Sequence, residues 1–240
     1  MKKNLFVIAL IFSVVAFMTV SCHKKKDSTP NPEPQIVVPV PGEGGTVPTD
    51  VLPVGLDTIV TEYFTVHAGE NAPLFEGQFV SKPHVLIHST IEDDTVSVYN
   101  DRYIAFFGNQ QYTDFYGKQW DDGRQDYYNE VYRKLFVLGT GDAFTTYYLT
   151  EGYPNGMFAR QSTIFSGKWN ESYGGLKDFQ VAVILLETSG NPNLAPAGSF
   201  RVLGDGDGLA QDTNWIEGTK RSLNDMVVVD DDPFRMFRVK

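Results

Sequence analysis

The chain has 240 residues, with 20 Lys+Arg against 30 Asp+Glu and a formal charge of −10. That balance argues against nucleic acid, whose binding needs clustered cations over phosphates, and suits neutral partners such as sugars, or cations. A single cysteine excludes an intramolecular disulfide framework and a cysteine-based zinc site, while 42% hydrophobic and 21% charged residues are values of a chain that folds.

Lys2 and Lys3 precede an apolar run from Leu5 to Val20, broken only by Ser13 and Thr19. The run is short for a membrane-spanning helix, which needs roughly 20 residues, and reads as a secretion signal. It closes on Thr19-Val20-Ser21-Cys22, which resembles a bacterial lipoprotein signal, with small Ser21 before a lipid-accepting Cys22. The resemblance implies cleavage after residue 21, fatty acylation of the palmitate type at Cys22, and Lys24 to Lys26 beside the lipid headgroups. Residues 22–55 follow as a predicted tether: seven prolines lie between Pro30 and Pro53, a composition that favours extended polyproline conformation.

From Leu56 the pattern is β-rich, and residues 56–240 form one predicted domain. β-Branched and aromatic residues dominate Asp57 to Val66, Gln78 to Ile87, Asp94 to Tyr99 and Arg102 to Phe107. The same holds for Ala143 to Thr150, Met157 to Phe165, Phe179 to Glu187, Ser199 to Leu203, Met226 to Val229 and Phe234 to Val239. Turn signals separate them, among them Gly139-Thr140-Gly141-Asp142 and Gly204 to Gly208. The fold class expected is all-β, a β-sandwich with a β-barrel as the alternative. One short helix is predicted near 126–138, because Tyr128, Val131, Tyr132, Leu135 and Phe136 fall at helical spacing. Val131 to Leu138 fits equally as the first strand of a hairpin with Ala143 to Thr150.

Motifs for chemistry are sparse. His84 and His88 are four apart, but on a strand their rings would stand about 13 Å apart, too far to share a metal. Asp205, Asp207 and Asp212 suggest a calcium loop, yet Leu209, Ala210 and Ile216 stand where ligand, glycine and glutamate are needed; an ordinary turn is expected. No Gly-x-Ser-x-Gly nucleophile motif is present in the sequence. A non-catalytic protein with no cofactor and no metal is expected. Gly167-Lys168-Trp169 resembles the Gly-x-Trp of lipocalins, and its place far into the chain makes it a strand-end turn with a buried indole.

Aromatics cluster from Tyr112 to Tyr132, interleaved with Asp114, Asp121 and Asp122. Most are expected in the core. Trp120, followed by two acids and Gly123, is the one expected at the surface, with Tyr116, Tyr127 and Asp121 completing a site for a neutral glycan: rings stack on sugar faces and carboxylates take hydroxyl hydrogen bonds. Asp27-Ser28-Thr29, Asp57-Thr58-Ile59 and Asp94-Thr95-Val96 resemble the O-glycosylation sequon of Bacteroidota, which implies modification at Ser28, Thr58 and Thr95. With the leader, this resembles a cell-envelope lipoprotein of that phylum. The function expected is a lipid-anchored outer-membrane binding module for neutral glycan; the alternative is an accessory subunit of an envelope or adhesive assembly with a protein partner.

Overall fold

The computed structural model describes residues 32–74, 76–92, 94–216 and 233–238. Cys22, Ser28 and the predicted strand Met226–Val229 lie outside them. In chain order the elements are β1 (Gln35–Val37), α1 (Leu56–Val60), β2 (Glu70–Asn71), β3 (Gly77–Ser81), β4 (His84–Ser89), β5 (Val98–Tyr99), β6 (Arg102–Gly108) and β7 (Tyr112–Asp121). They continue with β8 (Asp126–Thr140), β9 (Ala143–Gly152), β10 (Ala159–Trp169), β11 (Gly175–Glu187), β12 (Phe200–Asp205) and β13 (Leu209–Asp212).

The protein is all-β, and its sheet closes into an eight-stranded antiparallel barrel in the order β3-β6-β7-β8-β9-β10-β11-β13 and back to β3. The barrel, not two stacked sheets, is thus the β architecture adopted. Closure leaves no edge among these eight strands to be protected. One flap departs from it: β11 pairs with β13 through Gly175–Lys177 and then with β12 through Gln180–Ile184, and β12 carries β4 and β5 outward.

Alternation with period two decides what fills the barrel. Phe79, Ile104, Phe106, Phe115, Tyr132, Phe144, Tyr148, Phe165 and Phe179 form one buried cluster inside. Their rings touch in series, Phe115 with Phe165 at 4.4 Å and Tyr132 with Tyr148 at 3.8 Å between centroids. The lumen is a packed core, which an eight-stranded barrel is just wide enough for side chains to fill. Phe234 and Phe237 of the C-terminal segment join this cluster, and Arg235 lies 3.4 Å over the Tyr128 ring.

A second core lies outside the barrel wall. Val51, Leu52, Val60 and Phe64 pack onto Leu138, Tyr147, Leu149, Ile164, Ala182, Ile184, Phe200 and Val202. Both faces of β11 are therefore covered there, which explains the unbroken apolar run Val181 to Leu186. The prolines serve this docking: the Pro48 carbonyl accepts from the amides of Val51 and Leu52, and that of Pro53 from Leu56 and Asp57. Residues 32–55, predicted as tether, are corrected to part of the folded body, with β1 paired to β9 despite Pro39.

Three local predictions are also corrected. Asp57 to Val66 opens with helix α1 rather than a strand, because Val60 and Phe64, four apart, both insert into the outer core. In place of the predicted Phe234 to Val239 strand, the described residues 234–238 form a single 3-10 turn over Arg235–Phe237, and Val239 lies outside them. The helix near 126–138 is strand β8. Tyr128, Glu130 and Tyr132 point inward at period two, then Lys134 takes a left-handed φ of 55°, and Leu135 and Val137 resume the inward face. That bulge-like irregularity turns a step of two into a step of three and so counterfeits a helical period. Val137–Thr140 pairs with Ala143–Thr146 across the Gly141-Asp142 turn, as the hairpin alternative required.

Candidate functional site

The outward faces of β6, β7 and β8 carry the predicted aromatics. In the pairing register Tyr103 faces Lys118, Lys118 faces Asn129, and Trp120 faces Tyr127. Residues directly opposite on one sheet face are close enough to interact, and here they do. Trp120 meets Tyr127 edge-on at 5.1 Å, and Lys118 Nζ sits 4.3 Å over the Tyr127 ring, 5.4 Å over Tyr103 and 5.6 Å over Trp215. Trp215 arrives from the segment after β13. Its indole Nε1 donates to the Ile104 carbonyl at 3.1 Å and its ring lies 5.9 Å from Tyr103. The result is three rings about one ammonium, Trp215, Tyr103 and Tyr127, with Trp120 extending the row from Tyr127. Tyr127 is 41% exposed and the other three are half-buried.

Two members of the predicted site do other work. Tyr116 is 3% exposed, packed beneath Phe107, Val131, Trp215 and Ile216, so it cannot stack on a ligand; burial also pushes its phenol pKa up. Asp121 organises its own hairpin: Oδ1 accepts from the amides of Gly123 at 2.8 Å and Arg124 at 3.2 Å. Asp122 is an exposed acid beside the row, accepting from Asn100 Nδ2 at 3.0 Å. Tyr103, Lys118 and Trp215 were not anticipated. The β7 strand itself was not predicted, and Trp215 lies 95 positions from Trp120 in the chain, so only the three-dimensional register brings them together.

Beneath this face, inside the barrel, sits a buried ion pair. Arg102 donates to Glu130 Oε2 at 2.5 Å and to the Tyr128 hydroxyl at 3.1 Å, and that hydroxyl donates to Gln119 Oε1. Burial works against the Arg102 cation, but Glu130 and the neighbouring phenols hold its pKa above the ordinary arginine value. Gly117 faces Glu130 across the strands, and a methyl group there would meet the Glu130 carboxylate at 2.6 Å and the Phe115 ring at 2.9 Å.

His84 and His88 do not share a site. His84 is wholly buried with Nδ1 3.1 Å from Ser81 Oγ, whereas His88 stacks on Tyr63 at 3.6 Å. The Asp205–Gly208 segment is a turn held by its own acid: Asp205 accepts from the amides of Leu209 at 2.9 Å and Lys82 at 3.0 Å. Among the described residues no three His, Cys, Asp or Glu side chains converge as a metal would need.

Thr58 is exposed on α1, and its neighbour Asp57 accepts from the amides of Gly55 and Thr58, which holds the Asp57 carboxyl below its ordinary pKa. Thr95 is also exposed and lies outside any strand, contrary to the prediction, but Asp94 beside it is buried against Arg201 at 2.5 Å. Comparison of the chain with protein-family models, with curated proteins and with solved structures finds no match.

Proposed function

We propose that this chain is a lipid-anchored envelope protein whose barrel presents a non-catalytic face for a neutral glycan. The observation that carries the reading is the row Trp215-Tyr103-Tyr127-Trp120 on the outer face of the sheet, with Lys118 seated among its first three rings. Sugar rings offer apolar C–H faces to aromatic rings, and their hydroxyls suit Asn129, Asp122 and the Lys118 ammonium at the margins. Asp121, Asp122 and Asp126 flank the row and disfavour polyanions, while Lys118 is already engaged by the rings, a contact of about 0.5–1 kcal/mol at an exposed site. Affinity is expected in the micromolar to millimolar range, since a flat platform desolvates few atoms. A panel of neutral polysaccharides should include binders of the wild type that Tyr127→Ala no longer retains; a panel with no binder refutes the reading.

The anchor rests on the leader and Cys22. More than one acyl chain gives stable attachment at about 0.8 kcal/mol per buried methylene, and each nearby lysine adds about 1 kcal/mol against anionic lipid. Cys22→Ser should move the protein from the detergent phase to the soluble periplasmic fraction, and a mutant that stays in the detergent phase contradicts this. For O-glycosylation, Thr58 is the better-presented candidate among the described residues, because the Asp94 needed beside Thr95 is sheltered. One observation favours the accessory-subunit reading instead: Ile87, Val96 and Val98 are 42%, 47% and 58% exposed around the outermost strand β5, an apolar edge suited to a protein partner.

A further inference from the structure

The flap leaves a crevice where β11 changes partner. Lys177 still pairs with Leu209 of β13, Gln180 already pairs with Gly204 of β12, and between them Asp178 and the Phe179 position border a pocket of about 350 Å³. Its walls are Thr65 and His67 on one side, Lys168 at the end of β10, Ile87 of β4, and the Asp205–Gly208 turn. It lies on the β10–β11 side of the barrel, separated in strand order from the aromatic face by β9 in one direction and by β13 and β3 in the other.

The pocket is built rather than incidental. A register shift between Ser166 and Lys168 re-aims the end of β10, and Asp178 takes a left-handed φ of 53°, fixed by its amide donating to the Gly208 carbonyl at 2.9 Å. Bulges and left-handed non-glycine residues concentrate at working sites because they turn side chains out of the sheet pattern. Together they set Lys168 Nζ 3.2 Å from Asp178 Oδ2, with 38% and 54% of the two side chains exposed. Gln180 pins the opposite wall, accepting from the Thr65 amide at 2.9 Å and donating to the Tyr63 carbonyl at 3.2 Å. Ile87 supplies the apolar part of the wall, while the Phe179 ring turns away into the barrel core.

We propose that this pocket is a second carbohydrate site, taking one neutral sugar residue through two adjacent hydroxyls on the Lys168–Asp178 pair. The chemistry selects that class. An ammonium and a carboxylate side by side offer one strong donor and one strong acceptor at about the spacing of a vicinal diol, whose hydroxyls each donate and accept. Their charges cancel, Asp205 is consumed by its own turn, and burial together with the charge of Lys168 holds the His67 imidazole below its ordinary pKa, so nothing in the pocket attracts an anion. The volume is at the small end of ligand sites, that of a single ring rather than an oligomer. The site stands apart from the aromatic face and does not depend on that face binding glycan.

The test is chemical-shift mapping of the purified protein with methyl glucoside, methyl mannoside and methyl galactoside, and with cyclohexanol as a ring without a diol. At least one sugar should shift the amides of His67, Lys168 and Asp178 with millimolar affinity, and cyclohexanol should not. Lys168→Met and Asp178→Asn should each weaken that binding about tenfold, the loss of roughly one charge-assisted hydrogen bond. Asparagine tolerates the left-handed backbone, and an otherwise unchanged spectrum confirms the fold of each variant. Tyr127→Ala should leave this binding intact while removing polysaccharide binding, so failure at either site is told apart. Absence of shifts with all three sugars, equal shifts with cyclohexanol, or stronger shifts with zwitterionic glycine would overturn the proposal.

Discussion

Arg102→Met should destabilise the barrel by about 3–5 kcal/mol, the usual consequence of removing one partner from a buried ion pair. Arg102 is 5% exposed and Glu130 7%, so neither reaches solvent to recover its hydration. Without the guanidinium, the Glu130 carboxylate stays beside Phe115 and Gly117 with its main counter-charge gone, and the Tyr128 hydroxyl loses a donor. Replacing both partners is a different experiment. Arg102→Met with Glu130→Leu removes the charges together and should recover most of the loss, because an apolar pair of similar volume in such a place is often neutral or better. Urea midpoints at constant m-value check both variants. A single variant within about 0.5 kcal/mol of wild type, as for ordinary surface substitutions, would show that the pair contributes nothing to the core.

Acid should destabilise the protein well before its carboxylates titrate. Burial, and then the charge of Arg102, lowers the His84 pKa from 6.5 to about 3. The folded state therefore refuses a proton that the unfolded chain takes up below 6.5. Stability from this group is complete above pH 6.5 and is lost as the pH falls from 6.5 towards 3, at about 1.4 kcal/mol per pH unit. His67, lowered by burial and Lys168, adds in the same direction. Between pH 6.5 and 5, above the carboxylate range, wild type should lose about 2 kcal/mol from His84 alone, and His84→Gln should show a correspondingly flatter profile. Parallel profiles for the two proteins would place the His84 imidazole in contact with water.

The sequence made β6, β9, β10 and β11 legible, because their β-branched and aromatic residues form runs between clear turns. Tyr112–Asp121 escaped notice because its inward positions after Phe115 are Gly117 and Gln119, which serve the Glu130 and Tyr128 network rather than an apolar core. β8 imitated a helix for the local reason of its left-handed Lys134. The prolines of residues 32–55 read correctly as non-periodic, but composition does not report that Val51 and Leu52 have a waiting surface on β9–β12. At the candidate site, the outward placing of Trp120 and Tyr127 was legible from their place beside the polar Asp121-Asp122-Gly123 turn, although Trp120, expected at the surface, is half-buried. Tyr116 was misplaced because it lies two steps further down the same outward face, where Trp215 and Ile216 cover it. The partners Tyr103 and Trp215, and the whole Lys168–Asp178 pocket, depend on strand register and on the split of β11, neither of which local sequence encodes.

Two of the three tryptophans, Trp120 and Trp215, lie in the aromatic row, while Trp169 packs edge-on against Phe79 at 5.4 Å. Intrinsic fluorescence therefore reads the face directly. Titration of the wild type and of Tyr127→Ala with a neutral polysaccharide retained in the panel is the most direct measurement of the glycan assignment. The expected result is a saturable change in tryptophan emission for the wild type that is absent from Tyr127→Ala at unchanged thermal stability. Saturable binding that leaves tryptophan emission unmoved, or that survives in Tyr127→Ala, would contradict it.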